Sequence, residues 1–386
     1  MTLARDFIER IHAAGKPFVL AVTGGGSGAI SSVLEVPGAS GSVLEAIVPY
    51  ASTALADWLC GTPEQYCSER TARAMAMAAF ERARQLTDID PRLLRGIGAT
   101  ASLASTRAKR GAHRIHVAWQ SAETTVVTSC TFSSALTRTD EERMATQIIL
   151  DAVGEACAVE RPKLDPAIRS SMNRREQRAP IEWTELLLGH RQCVLIIPNA
   201  ESMDYPPEGD LQTSLVLFPG AFNPLHSGHK CMAELAAERC GGEVTFELSI
   251  ANVDKPPLDF IEIAERLAQF RGRHVLLTRA PTFVEKAAIA PGCTFVVGAD
   301  TLVRIGDPVY YGSDTNRRDT AIAAMAKAGC RFLVFGRVAD GVFRTLSNVD
   351  VPPSLRELCD EMTESRYRED ISSTELRRAS LHDDSI

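Results

Sequence analysis

Short apolar runs and helical patterns recur along the whole chain. Toward the N-terminus, "PFVLAV" has the pattern of a buried strand and is followed by the Gly-rich stretch "TGGGSG". "SERTARAMAMAAFERARQL" has apolar residues at helical spacing, whereas "RIHVAW" and "TTVVTSCTF" alternate as strands do. This mixture predicts a layered α/β unit.

From about residue 181 onward, strand and helix patterns alternate more regularly. This alternation predicts an α/β fold with a Rossmann-like, doubly wound parallel sheet and crossover helices on both faces. Ligands of such sheets bind beyond the carboxyl ends of the strands. The strand-like runs are "QCVLIIP", "SLVLF", "EVTFELSI", "HVLLT", "CTFVVGAD" and "RFLVFGR".

The length of 386 residues agrees with two domains, at roughly 100–200 residues per domain. Residues 161–180 are rich in charge, flanked by proline and poor in large apolar side chains. The sequence therefore predicts a first domain over 1–160, a linker over 161–180 and a second domain over 181–386. A solvated helix is the alternative for the linker.

Composition narrows the class of protein. Apolar residues make up 45% and charged residues 24%, as in soluble globular proteins. The net charge of −7 disfavours a general nucleic-acid binder, whose binding face would be basic. The ten cysteines form no C-x-x-C pair, so we expect free thiols in a reducing compartment. No run has the length of a membrane span or of a signal-peptide apolar region, so we expect a cytoplasmic protein without a membrane partner.

The stretch "FPGAFNPLHSGHK" joins a strand-like run to a helical pattern. A helix N-terminus presents unpaired N–H groups and a partial positive charge, which together favour anions. Gly220 and Gly228 allow close backbone approach, and His226 and His229 could donate to phosphate oxygens. A zinc site needs three or four ligands, and no paired His or Cys motif completes one, so we assign no metal ligand. A core role is disfavoured because both histidines flank a turn.

Two more motifs lie at predicted element ends. In "ISSTELR", hydroxyl side chains precede a helical stretch, where they could cap the helix or hold phosphate beside Arg377. In "FVVGAD", Asp300 could contact a substrate or cap the following helix.

Together and in this order, the three motifs resemble the nucleotidylyltransferase superfamily, whose signature is H-x-G-H followed by I-S-S-T-x-x-R. Both signature motifs are intact, and the resemblance covers about Leu211 to Leu376. "FVVGAD" and "NVDKPPLD" are similar to the nicotinate and nicotinamide mononucleotide adenylyltransferases of NAD biosynthesis. The resemblance implies transfer of an adenylyl group from ATP, with Mg²⁺, to a pyridine mononucleotide, with release of pyrophosphate.

The same resemblance implies roles for individual residues. His226 and His229 are the catalytic candidates on the ATP phosphates, and His229 is the stronger one for the transition state. Because a phosphate nucleophile is already ionised near neutral pH, alignment and charge stabilisation suffice. Lys255 and Asp300 would lie near the second substrate or the metal. The residues implied in ATP binding are Gly220, Phe222, Asn223, Gly228, Ser372, Ser373, Thr374 and Arg377.

One departure concerns the second substrate. Relatives acting on nicotinate mononucleotide often carry a tryptophan downstream of the G-A-D element, whereas "TLVRIGDPVYYGSD" has none. Tyr310 or Tyr311 could substitute by stacking on the pyridine ring. Phosphopantetheine, or CTP with a phospho-alcohol, therefore stays open as an alternative substrate set.

The N-terminal stretches "VPGAS" and "SERTARAM" resemble the C-terminal domain of competence-damage-inducible (CinA-type) proteins, over about Ala4 to Ala156. That family includes nicotinamide mononucleotide deamidases with a serine nucleophile in an E-S-C-T-G-G loop. Here Ala21 stands at the serine position and Val22 at the cysteine, and the later loop G-I-A-G-P-G is altered to "GIGATASL". Alanine cannot form an acyl intermediate.

Three hypotheses follow from these patterns. The first is an adenylyltransferase fused to a degenerate CinA-like domain that binds a ligand or forms a homo-oligomer. The second is a non-catalytic nucleotide-binding or regulatory protein. The third is an amidase that acts through Ser27.

Overall fold

The computed structural model describes residues 2–106, 111–133, 135–197, 203–204, 215–253, 255–339 and 342–367. The chain divides into two compact units. Unit 1 comprises Met1–Leu188 and Asp254–Ala264, and unit 2 comprises Gly189–Val253 and Glu265–Ile386. Within the described part of the chain, no helix combines the length and the apolar character needed to cross a membrane.

Unit 1 contains six strands and seven α-helices among its described residues up to Leu188. They are, in chain order, α1 (Thr2–Ala13), β1 (Phe18–Thr23), α2 (Gly28–Leu34), β2 (Val43–Ile47), α3 (Ser52–Trp58), α4 (Glu69–Leu86), β3 (Arg95–Ser102), β4 (Arg114–Gln120), β5 (Thr124–Thr131), α5 (Arg138–Ala156), α6 (Pro166–Ser170), β6 (Met172–Arg178) and α7 (Ile181–Leu188).

The sheet of unit 1 has the order β2-β1-β3-β4-β5-β6. β1 is parallel to β2 and to β3, and the remaining neighbours are antiparallel. One core includes Phe7, Ile8 and Ile11, which α1 contributes. α4 packs closely on β3 at Gly96, where any side chain would collide with the backbone of Phe80. "GIGATASL", which the sequence comparison treats as a loop, instead forms most of the central strand β3.

The predicted linker, 161–180, contains the helix α6 and the sheet strand β6 instead of being a free connection. β6 pairs along β5 from Met172 to Arg178 and extends the sheet at its edge. Its side chains are mostly exposed, which explains why the sequence looked like a solvated segment. The compact unit continues through α7 and ends at Leu188.

Unit 2 consists of alternating strands and helices, and α9 begins in the segment that clusters with unit 1. The elements are β7 (Cys193–Ile196), β8 (Met203–Asp204), β9 (Val216–Pro219), α8 (Ser227–Cys240), β10 (Val244–Ser249), α9 (Phe260–Leu267), β11 (Val275–Thr278), α10 (Phe283–Ile289), β12 (Thr294–Gly298), α11 (Ala299–Gly306), α12 (Thr315–Lys327), β13 (Arg331–Phe335), β14 (Arg337–Ala339), β15 (Val342–Arg344), α13 (Pro353–Arg356) and β16 (Cys359–Met362).

The main sheet of unit 2 has the order β16-β13-β12-β9-β10-β11-β7-β8. The strands from β16 to β11 are parallel, which confirms the predicted doubly wound sheet. β7 and β8 depart from it, because each pairs antiparallel at one edge. From β9 the chain builds β10 and β11 on one side and then returns to place β12 on the other. The carboxyl ends of β9 and β12 therefore flank the switch point where such sheets bind ligands.

Candidate active site

The stretch that follows β9 is held by side chains from the end of α9. The chain leaves the sheet at Pro219, and α8 begins at Ser227 with His226 as its N-cap residue. The amide of Leu225 donates to Oε1 of Gln269 at 2.7 Å, and Nε2 of Gln269 donates to the carbonyl of Phe222 at 3.2 Å. Nη1 of Arg266 donates to the carbonyl of Ala221 at 3.0 Å. The loop 221–225 is thus fixed by side-chain hydrogen bonds just before the histidines.

An aromatic cluster supports the loop from inside. Phe222 is buried although its φ of 44° is uncommon for a residue with a side chain. Its ring packs edge-on against Phe218, Phe246 and Phe270, at centroid distances between 5.2 and 5.4 Å. It also contacts the ring of His229 at 5.1 Å. Phe222, predicted to line the nucleotide pocket, therefore packs beneath the imidazole.

His226 and His229 lie against each other at the start of α8. Their rings stack with centroids 3.7 Å apart, and the backbone N–H of His226 donates to Nδ1 of His229 at 3.3 Å. Burial, together with the nearby charges of His226 and Arg337, lowers the pKa of His229 to about 3. Burial and then Arg337 also lower the pKa of His226. Both rings are therefore neutral near pH 7.

The hydrogen bonds of the two imidazoles determine which ring nitrogens can donate to a ligand or accept from it. Because Nδ1 of His229 accepts a hydrogen bond from the backbone N–H of His226, the neutral ring carries its proton on Nε2. That Nε2–H is a donor for a ligand. Nδ1 of His226 is buried and has no hydrogen-bond partner among the described residues. A buried polar atom left in this way is costly unless a ligand or water satisfies it.

A charged pair completes the described site. Asp300 lies in the first turn of α11, directly after β12, and its Oδ2 accepts from Nη1 of Arg337 at 3.0 Å. Arg337 follows the carboxyl end of β13 and is close enough to depress the pKa of both histidines. The ends of β9, β12 and β13 thus bring together His226, His229, Asp300 and Arg337. Sequence reasoning missed Arg337, although "RFLVFGR" places a cation at the end of a predicted strand.

Replacing Arg337 with methionine is expected to raise the pKa of both His226 and His229, because a nearby cation disfavours the imidazolium. Burial remains, so the pKa of His229 stays below its ordinary value. NMR titration of the imidazole C–H signals measures both values. Arg331→Met is the matched control, since Arg331 lies at the other end of β13. Histidine titration curves unchanged by Arg337→Met would contradict this placement.

These groups together suit a polyphosphate. The N-terminus of α8, a 14-residue helix, offers backbone N–H groups and a partial positive charge. The Nε2–H of His229, in α8, and the guanidinium of Arg337, just after β13, add two donors. Neutral imidazoles donate hydrogen bonds without being fixed cations, so they can stabilise charge as it develops. Among the described residues, no group of three or more His, Cys, Asp or Glu side chains could hold a metal ion.

The other residues predicted for the site lie in several parts of the chain. Gly220 donates its N–H to the carbonyl of Glu247 at 3.1 Å, and Gly228 is buried in the first turn of α8. Asn223 lies in the loop between Phe222 and the histidines. Lys255 is exposed in the segment that clusters with unit 1, and Tyr310 is exposed after α11. The four residues of the second signature motif lie outside the described residues: Ser372, Ser373, Thr374 and Arg377.

The backbone N–H groups of the Gly-rich loop in unit 1 are hydrogen-bonded to a carboxylate of the protein itself. Oε1 of Glu142, from α5, accepts the backbone N–H groups of Gly26 at 2.8 Å and Ser27 at 3.1 Å. The hydroxyl of Ser27 lies 3.4 Å from the same oxygen. Ala21 and Val22 are buried in β1. The amides that could stabilise an oxyanion beside Ser27 are therefore already occupied.

A cavity of about 1620 Å³ also opens in unit 1, beside α1 and α5. Apolar side chains such as Phe7, Leu150 and Ile168 line much of it. None of the site residues predicted from the sequence lines it, so it adds nothing to the chemistry at α8.

Comparisons with known proteins bear on the two halves of the chain separately. Residues 217–379 match the family model described as cytidylyltransferase-like, a range that starts in β9 and includes His226, His229 and Asp300. This match confirms the resemblance of the C-terminal domain and supports nucleotidyltransferase activity in general. A comparison with curated proteins finds no match.

Three solved structures are similar to part of this chain. A competence/damage-inducible protein from Agrobacterium tumefaciens has 20% identity and a TM-score of 0.30, with 41% of this chain and 90% of that chain covered. A CinA superfamily protein from Klebsiella pneumoniae has 14% identity and a TM-score of 0.32, with 41% and 96% covered. One from Escherichia coli has 18% identity and a TM-score of 0.29, with 40% and 85% covered.

Proposed function

We propose that unit 2 transfers the adenylyl group of ATP to the phosphate of a pyridine mononucleotide. A non-bridging phosphate oxygen of the mononucleotide attacks the α-phosphorus of ATP. The bond from that phosphorus to the bridging oxygen of the β-phosphate breaks, and pyrophosphate leaves with the electron pair. The product is a dinucleotide joined by a new phosphoanhydride bond. The nucleophile is already ionised, so the step needs no general base.

One observation carries the proposal: two neutral, stacked imidazoles at the start of α8 lie beside Arg337 at the switch point of a parallel sheet. Charge in this transfer builds on the oxygens of the α-phosphate and on the leaving pyrophosphate. A preorganised Nε2–H on His229 and a guanidinium on Arg337 are suited to these positions. The cytidylyltransferase-like match over residues 217–379 supports the same chemistry.

The other groups act by binding and orientation. We propose that Mg²⁺ enters as the MgATP complex. We propose that Ser372, Ser373, Thr374 and Arg377 bind the β- and γ-phosphates, as the sequence resemblance implies. Asp300 is proposed to orient the second substrate, with Arg337 exchanging between the carboxylate and the phosphates.

The identity of the two substrates rests on "FVVGAD" and "NVDKPPLD". CTP is the main alternative nucleotide, because the matching family model is described as cytidylyltransferase-like. The acceptor alternatives are phosphopantetheine and a phospho-alcohol. For unit 1 we propose no amidase activity, since Glu142 occupies the amides beside Ser27.

A substrate panel tests the proposal. The protein with Mg²⁺ is incubated with ATP or CTP and each of four acceptors: nicotinamide mononucleotide, nicotinate mononucleotide, phosphopantetheine and a phospho-alcohol. Pyrophosphate and ammonia release are measured in parallel. We expect pyrophosphate only with ATP and a pyridine mononucleotide, and no ammonia from wild type or from Ser27→Ala.

Each other outcome overturns a defined part of the proposal. Pyrophosphate from CTP, or with a different acceptor, would replace the substrates and keep the reaction class. Ammonia that is lost in Ser27→Ala would move the chemistry to unit 1. Nucleotide binding without turnover on any acceptor would favour a regulatory protein.

A further inference from the structure

The turn that leads into His226 is bridged by one side chain of unit 2. Oε1 of Gln269 accepts from the amide of Leu225 at 2.7 Å, and its Nε2 donates to the carbonyl of Phe222 at 3.2 Å. In an ordinary β-turn these two backbone groups, at positions i+3 and i, bond to each other. Here each of them bonds to Gln269. An amide side chain, which offers a donor and an acceptor side by side, thus takes the place of the hydrogen bond that would close the turn 222–225.

The segment that carries Gln269 is itself packed against this turn. Phe270, the next residue, is buried, and its ring packs edge-on against that of Phe222 at 5.2 Å. Nη1 of Arg266 donates to the carbonyl of Ala221 at 3.0 Å. Nε2 of Gln269 also donates to the carbonyl of Arg266 at 3.5 Å. The amide therefore has a fixed orientation, and all of these contacts lie inside unit 2.

The two groups held by Gln269 adjoin the two contacts that fix His229. The ring of Phe222 packs beneath the imidazole, with the centroids 5.1 Å apart. The residue after Leu225 is His226, whose N–H donates to Nδ1 of His229 at 3.3 Å. A shift of the turn therefore displaces both the ring beneath His229 and the donor at its Nδ1.

Phe222 is the part of the turn that depends most on the bridge. Its φ of 44° is sparsely populated by residues with a side chain, and such a conformation persists only where the surroundings hold it. When the amide of Gln269 is removed, the carbonyl of Phe222 and the N–H of Leu225 each lose a partner. Because an unpaired backbone group is costly, we expect the two groups to bond each other and the turn to rearrange.

We propose that Gln269 is a positioning residue for His229 and acts through the turn 222–225. It fixes the carbonyl of Phe222 and the N–H of Leu225, and the turn in this form keeps the imidazole packed and its Nδ1 occupied. The Nε2–H then remains the donor to the α-phosphate. The inference rests on the proposed function for its kinetic consequence only, because the state of His229 can be measured without substrate.

NMR titration of the His229 imidazole tests the proposal without substrate. In wild type the pKa of His229 is about 3, so its C–H signals should stay those of a neutral ring from about pH 7 down to about pH 4.5. Gln269→Met keeps the length of the side chain and removes the amide. We expect the pKa of His229 to rise into this range, because a rearranged turn exposes the ring to water. His229→Ala identifies the signals by their loss.

Gln192→Met is the matched control for this titration. Gln192 is exposed in unit 2, directly before β7, and the same substitution there should leave the His229 signals as in wild type. Gln269→Asn keeps the amide on a side chain one methylene shorter, and it keeps the test decisive if Gln269→Met does not fold. A His229 titration in both Gln269 variants that equals that of Gln192→Met would overturn the proposal.

Kinetics separates positioning from a general loss of stability. If adenylyl transfer is detected, Gln269→Met should lower kcat roughly tenfold and change the KM for MgATP by less than about twofold, since His229 acts mainly in the transition state. In a His229→Ala background the same substitution should have no further effect on kcat, because the ring that it positions is gone. Multiplicative losses in the double variant would contradict a role through His229.

Failure of the proposed function can be distinguished from failure of this inference. If the wild-type protein releases no pyrophosphate with any acceptor, the proposed function fails. The His229 titration in Gln269→Met then still decides whether Gln269 holds the ring.

Discussion

Replacing His229 with alanine is expected to slow pyrophosphate release by roughly 10²–10³-fold, the effect of removing one preorganised donor from a developing charge. His229 is the better placed imidazole, because its Nδ1 is bonded to the backbone of His226 and its Nε2–H is left for the ligand. Initial rates at saturating MgATP and mononucleotide measure the loss in kcat. Thermal unfolding shows whether the variant keeps the wild-type fold.

Two further variants test whether the loss in kcat comes from the missing hydrogen-bond donor of His229. His229→Asn retains a hydrogen-bond donor and an acceptor, so it should recover part of the rate. His274→Ala removes an imidazole that faces Glu243 just before β11, and it should leave the rate unchanged. A His229→Ala enzyme within about twofold of wild type, well below the effect of losing one such donor, would exclude this imidazole from the reaction.

The buried ion pair beneath the site is expected to give the largest effect on stability. Nζ of Lys286 lies 2.8 Å from Oε1 of Glu247, and the two side chains are 6% and 1% exposed. Lys286 also donates to the carbonyl of Ala280, and Thr278 donates to the carboxylate. Lys286→Met leaves Glu247 buried without its cation and should lower the free energy of unfolding by about 3–5 kcal/mol.

Urea unfolding can be followed separately in the two units. The three tryptophans, Trp58, Trp119 and Trp183, all lie in unit 1. A circular-dichroism transition without a change in tryptophan fluorescence therefore reports unit 2, and Lys286→Met should move that transition to lower urea.

Two variants control the interpretation of the Lys286→Met result. Lys286→Met combined with Glu247→Gln removes the unpaired charge and should restore most of the stability. Arg331→Met breaks an exposed pair with Asp360 and should cost only about 0–1 kcal/mol. A Lys286→Met protein as stable as Arg331→Met would contradict the importance of the buried pair.

Local patterns were sufficient to predict most elements of the fold. "CTFVVGAD" became β12, because a short apolar run bounded by turns is typical of a buried strand. "EVTFELSI" became β10, because its apolar and polar residues alternate as they do in strands. β6 was missed for the opposite reason. Its sequence, "MNRREQR", is polar at almost every position because it is an edge strand with exposed side chains. The alternation of apolar and polar residues marks a strand only when one of its faces is buried, and β6 has no such face.

The candidate site was predictable only in part. The strand-end rule placed His226, His229 and Asp300 on one edge of the sheet, and the structure brings them together. It could not give the stacking of the two rings or the burial that keeps them neutral, because both depend on packing around Phe222. Gln269, which accepts from the amide of Leu225, lies 44 residues after it in the sequence.

The central claim is that this site moves a nucleotidyl group, and isotope transfer tests it most directly. ATP labelled in its α-phosphate is incubated with the full-length protein, Mg²⁺ and nicotinamide or nicotinate mononucleotide, and the products are separated. We expect the label to leave ATP and to enter a product that contains the mononucleotide, with release of an equal amount of unlabelled pyrophosphate. Label that remains in ATP, or that appears only as free AMP, would contradict it.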